Sequence, residues 1–157
     1  MHSASLDMSV RFSVPAEYVW YVLTTPSETA HWWPDLQLTR RKGSKVHLVT
    51  PRPRKKRPRT IEGKVISAAK QPYIRAFVRA TPRGYTTELT LQVAQLASAT
   101  RLRIIETEFP DVENAGVIVS ECRDGWRSFV AALADHLKNP ATLARLRATL
   151  DGEFPTR

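Results

Sequence analysis

Residues 116–138, GVIVSECRDGWRSFVAALADHLK, are the one long segment whose apolar residues keep a helical period. Val119, Cys122, Trp126, Val130, Leu133 and Leu137 recur at three- and four-residue steps, with Phe129 beside them, and so make one apolar stripe on a helix. Glu121, Asp124, Arg127, Ser128 and Asp135 fall mainly elsewhere around it. A helix with one apolar stripe has to lie against another layer, and what precedes it is largely a series of strand-like runs. The expectation is a sheet that grips the helix.

Those runs can be placed by alternation and punctuation. In 8–14, Val10, Phe12 and Val14 alternate with Ser9, Arg11 and Ser13, as in a strand with one buried face. Pro15 suits a first helical position, and Val19, Trp20 and Leu23 give 16–24 a helical spacing. Thr25 and Glu28 then stand in capping-box relation and open a second short turn through His31, Trp32 and Trp33. Strands are expected at 36–40, 45–50, 60–67, 73–80, 87–93 and 100–109, separated by turns at Lys42-Gly43-Ser44, Lys70-Gln71-Pro72, Pro82-Arg83-Gly84 and Ala97-Ser98-Ala99. Turns this short demand antiparallel neighbours. The predicted class is α+β: a curved antiparallel sheet of about six to seven strands around a long C-terminal helix, with two short helices after the first strand.

A chain of 157 residues is the length of one ordinary domain, here 8–138 with a helical tail at 139–157. In the tail, Asn139-Pro140 reads as a cap and first position, and Leu143, Leu146 and Leu150 form a narrow stripe that packs on the body or on a second copy. The single cysteine excludes an internal disulfide and suits a reducing, cytoplasmic setting. No segment approaches the roughly 20 apolar residues of a membrane span. Arg52, Arg54, Lys55, Lys56, Arg57 and Arg59, in PRPRKKRPR, account for most of the formal net charge of +9. The prolines and cations of this stretch leave nothing to bury, which predicts a solvated loop able to touch an anion or an acidic protein partner. It lacks interleaved aromatics, so nucleic acid is not expected there.

Three motifs carry a resemblance. VPAEYVWYVLTTPSETAHWWPD at 14–35, TRLRIIETEFP at 100–110 and GWRSFVAAL at 125–133 resemble, in that order, the START-like (SRPBCC) superfamily, and within it the homologues of the activator of heat-shock protein 90 ATPase. The basic loop, the single Gly43 where relatives often carry paired glycines, and the tail depart from that pattern. The resemblance implies a helix-grip fold with a cavity between sheet and helix, whose members bind lipids, hormones or polyketides and in some cases act as cyclases, dehydratases or hydrolases.

On that fold Leu89, Leu91, Leu102, Ile104, Trp126 and Val130 are the expected cavity wall, unless they simply fill a solid core at the usual packing density of about 0.75. Trp32 and Trp33 cannot share one helix face, so one is expected inward and the other at the rim near His31. Alternation from Leu102 and Ile104 turns Glu106 and Glu108 inward, and a carboxylate facing an apolar cavity is a candidate acid or base. The four histidines and Cys122 lack ligand spacing, no phosphate loop or nucleophile elbow occurs, and neither metal nor cofactor is expected. Three functions follow as expectations: a non-catalytic module for a small apolar or aromatic molecule, an enzyme using Glu106, and a co-chaperone-like or anion-binding interaction module acting through residues 52–59. A homodimer through the tail fits any of them.

Overall fold

The structure is a computed structural model that describes residues 4–53, 56–68 and 73–151. The elements run β1 (Leu6–Phe12), α1 (Ala16–Thr24), α2 (Pro26–Trp32), β2 (Lys45–Thr50), β3 (Arg59–Ala68), β4 (Tyr73–Thr81), β5 (Tyr85–Gln95), β6 (Thr100–Thr107), α3 (Ala115–Lys138) and α4 (Pro140–Leu146), with a π-helical turn at Arg147–Asp151. Among the described residues six strands form one antiparallel sheet in the order β1-β6-β5-β4-β3-β2, curved around α3. The first strand therefore lies beside the last, and only the β1–β2 connection, which carries α1 and α2, crosses from one edge of the sheet to the other. This is the helix-grip arrangement expected from the sequence.

Alternation is clearest in β5, where Tyr85, Thr87, Leu89, Leu91 and Val93 are buried and the residues between them face outward. A register shift between Val65 and Ser67 interrupts the β3–β4 pairing, the kind of bulge that bends a strand and helps a sheet curl. Residues 36–40 do not form the strand expected of them. Gln37 and His47 exchange both backbone hydrogen bonds, at 2.8 and 3.0 Å, in an isolated bridge. Beyond it Thr39 and Ser44 bond to each other at 2.5 Å, and the chain turns back through Gly43, whose φ of 86° is left-handed.

The inner face of α3 is Ile118, Cys122, Trp126, Phe129, Leu133 and Leu137. Phe129, rather than Val130, continues the stripe; Val130 is only partly buried. At Gly125 the helix comes so near β2 that a Cβ would stand 2.7 Å from Thr50 Oγ1, so only glycine fits. Two details of the short helices differ from expectation. Pro15 precedes α1 as its cap in an extended conformation; Thr25 makes no side-chain cap, and the Glu28 carboxylate bonds Arg145 and His136 rather than closing a capping box.

Asn139 does cap α4, accepting from the Ala141 and Thr142 amides at 2.8 and 3.4 Å. The tail packs on the body. Leu146 is fully buried, Arg145 donates to both oxygens of Glu28 at 2.9 Å, and Tyr18 donates to Asp151 at 2.6 Å. No helix among the described residues is long and apolar enough to cross a membrane.

Candidate ligand site at the mouth of the grip

Two carboxylates organise the end of the grip where β3 begins, β4 turns into β5 and α3 starts. Glu106, near the end of β6, faces inward and is fully buried. It accepts from the Arg59 guanidinium, from Thr87 Oγ1 at 2.5 Å and from Trp126 Nε1 at 3.0 Å. Strand pairing explains the meeting. Glu106 lies opposite Leu89 of β5, which puts Thr87 two residues along on the same face. Arg59 reaches across β4, where its near neighbour on the inner face is the small Ala80. A buried ion pair holds only with such extra hydrogen bonds, since each charge has given up its water. Oε2 takes the Arg59 and Thr87 bonds and Oε1 takes the Trp126 bond, so both oxygens of Glu106 are engaged.

Glu108 is not inward. The strand ends at Thr107, Glu108 adopts a left-handed φ of 68° and is exposed, and Phe109 turns into the core in its place. Arg59, expected at the solvated loop, is instead the first residue of β3 and 4% exposed. Its charge is favoured by Glu106 despite the burial that opposes it. Tyr85 covers it, with the ring centroid 5.7 Å from the guanidinium carbon and the hydroxyl 3.2 Å from Cys122 Sγ. Burial pushes the Cys122 thiol up to about 11 and raises the Tyr85 phenol above its usual range, so both are neutral near pH 7.

The second carboxylate is Glu121 on α3. Lys56 donates to it at 2.7 Å, Arg83 at 2.9 Å from Nη2, and Arg52 stands 3.5 Å away while bracing the loop through a 2.6 Å bond to the Arg57 carbonyl. Burial would raise this carboxyl, but the bonds from Lys56 and Arg83 outweigh it and hold it below the ordinary range. Beside Glu121 lies a slot lined also by Arg52, Arg59, Ala80, Arg83, Tyr85 and Cys122, with about 10 Å³ of room, enough for about one water.

Of the expected wall, Leu89, Leu91, Leu102, Ile104 and Trp126 are all buried in one apolar cluster. Trp32 is inward and bonds the Val22 carbonyl at 3.0 Å; Trp33 is half-buried and bonds the Val49 carbonyl at 2.9 Å. Both indoles touch Phe129, at 5.1 and 5.3 Å between ring centres, and Trp126 meets the same ring at 5.4 Å. Arg57 is exposed, and Arg54 and Lys55 lie outside the described residues, as does the turn at 70–72. The sequence reading did not single out Arg83, Tyr85, Thr87 or Glu121. Glu121 had a signal, since it precedes Cys122 on a stripe wide enough to include it.

A model of the family described as Activator of Hsp90 ATPase homolog 1-like protein matches residues 13–138. The chain belongs to this family. The AHSA1 match ends where α3 ends, and α4 follows it. Solved structures share the AHSA1 chain's fold at low identity. CalU16 from Micromonospora echinospora is 14% identical with a TM-score of 0.67, over 90% of this chain and 81% of that one. The Aha1 dimer from Colwellia psychrerythraea is 17% identical with a TM-score of 0.63, over 85% and 96%. DynU16, of the dynemicin biosynthetic locus, is 17% identical with a TM-score of 0.67; 86% of this chain is covered, but the AHSA1 domain spans about half of that protein, 47%. Among curated proteins, none matches this chain.

Proposed function

We propose that this AHSA1-family domain binds a small apolar or aromatic molecule between the inner face of the sheet and α3, entering at the mouth beside Tyr85 and Cys122. The observation that carries the reading is the slot at that mouth. It is lined by the Tyr85 ring, the neutral Cys122 thiol, Ala80 and Pro82 together with Arg52, Arg59, Arg83 and Glu121, so apolar surface and charged groups converge there. The interior beyond it is filled by Trp126, Leu102 and Phe129, all within 1% of full burial, so a ligand enters by displacing side chains rather than by filling an empty chamber. The inward turn of Arg52 and Lys56 onto Glu121 gives a loop-borne protein partner less to hold than the sequence promised.

Native mass spectrometry of gently purified protein, compared with its denatured mass, tests the reading. A reproducible small-molecule adduct that is lost in the Leu89→Trp variant is the expected result. Adduct retained in that variant, with the protein folded, places the ligand elsewhere and overturns it. The same spectrum reads the oligomeric state, for which the dimeric Aha1 neighbour is the reason to look.

A further inference from the structure

Four cations and two carboxylates meet at the mouth: Arg52, Lys56, Arg59 and Arg83 against Glu106 and Glu121. Glu106 neutralises Arg59 alone. Glu121 faces the other three, which leaves the group with an excess of two positive charges. Arg52 and Glu121 are largely buried, at 10% and 7% exposure, while Arg83 and Lys56 reach the surface at 28% and 41%. An excess of positive charge at the rim of a partly buried slot favours a further anion there. A second observation points the same way. Arg59 Nε is buried and has no hydrogen-bond partner, although the residue lines the slot and is 4% exposed. An orphaned guanidinium N–H is costly to leave unmade, and it is the donor type that carboxylates take in pairs.

We propose that the slot is a carboxylate-recognition site for the anionic end of the ligand, and that Glu121 occupies the ligand's place until it enters. The inference rests on the ligand-binding reading above and adds the ligand's chemical class: an aromatic or apolar carboxylic acid. On entry the incoming carboxylate accepts from Arg52, Arg83 and the free Nε of Arg59. Glu121 leaves with Lys56, whose side chain is 41% exposed, as a neutral pair moving toward solvent. The apolar body of the ligand then lies against Tyr85 and Cys122. The exchange removes a neutral pair and brings in one negative charge, which lowers the excess at the slot from two positive charges to one and gives the orphaned Arg59 Nε an acceptor.

The probes are 2-naphthoate and its uncharged counterpart 2-naphthamide, titrated calorimetrically at low salt into the wild type and three variants checked for folding by circular dichroism. The wild type is expected to bind the acid about tenfold more tightly than the amide, the effect of one added charge-assisted contact. Glu121→Gln should strengthen acid binding by about another tenfold without moving the amide, and Arg83→Gln should erase the preference. If Glu121→Gln does not fold, Lys56→Gln alters a half-exposed residue instead and should weaken the acid several-fold while sparing the amide. Acid and amide bound equally by the wild type would overturn the proposal and leave the ligand-binding reading standing. A preference that none of the variants alters would overturn it too. Binding of neither probe overturns it as well, and the native adduct then decides the broader reading separately.

Discussion

Arg59 and Glu106 form an ion pair on the inner face of the sheet, linking the start of β3 to the end of β6 across two intervening strands. Thr87 and Trp126 complete the carboxylate's partners. Removing one member strands the other in the core, at a cost of about 3–5 kcal/mol, whereas replacing both by apolar residues is often close to neutral. Urea denaturation should therefore show Arg59→Met strongly destabilised and Arg59→Met/Glu106→Leu substantially recovered. Equal losses in the single and double variants would mean that the pair is not the source of the effect.

The stripe of α3 makes a second comparison. Phe129 is 1% exposed and receives Trp32, Trp33 and Trp126 around its ring, while its neighbour Val130 is only partly buried. Phe129→Ala should cost about 3–5 kcal/mol and dim the near-ultraviolet dichroism of the tryptophans. Val130→Ala should cost less, about 1 kcal/mol, because Val130 only flanks the core cluster. A reversed order would place Val130 on the inner face.

Acid should loosen the tail. Hydrogen bonds from Arg145, opposed by burial and reinforced by His136, hold the Glu28 carboxyl down to about 2 from an ordinary 4.5. The folded value lies below the unfolded one, so the stabilisation is complete above about pH 4.5 and is lost as the pH falls through about 2. It amounts to roughly 3 kcal/mol at most. Melting temperatures taken across that window should fall less steeply in Glu28→Gln than in the wild type, and hydrogen exchange should quicken in α4 first. Parallel slopes would remove Glu28 from the account.

Cys122 should serve as a folding reporter. It is 2% exposed and its thiol is held up to about 11, so thiolate is scarce near neutral pH. Iodoacetamide at pH 8 should leave the folded protein unmodified and label it rapidly in denaturant. Fast labelling without denaturant would show that the mouth opens readily.

The elements were legible wherever side-chain period dominates. β5 and α3 follow from alternation and stripe, and α4 from Asn139-Pro140, because these signals depend on local burial alone. The failure at 36–40 is of another kind, since Leu36 and Leu38 alternate as a strand does but the Thr39–Ser44 turn removes the partner after one bridge. Glu106 could be placed inward by continuing its strand, and Glu108 could not, because where a strand ends depends on the loop beyond it. The partners of Glu106 and Glu121 were hidden for the same reason. Arg59 sits in a run of cations that reads as solvated, and only the register of β3 against the rest of the sheet shows that this one points inward. Arg83 lies in a turn, and nothing local aims it at a helix residue 38 positions away.

Gly125 has a mechanical meaning beyond its fit. At that point the backbone of α3 rests directly on the Thr50 side chain at the sheet edge, with no helix side chain between them. The contact divides the helix into two arms about a fulcrum. The arm holding Glu121 and Cys122 faces the slot, and the longer arm is clasped by Trp32 against Phe129 and by Glu28 against His136 at 3.0 Å. The helix is thus held on both sides of Gly125 by different partners, charged at the slot end and aromatic at the tail end.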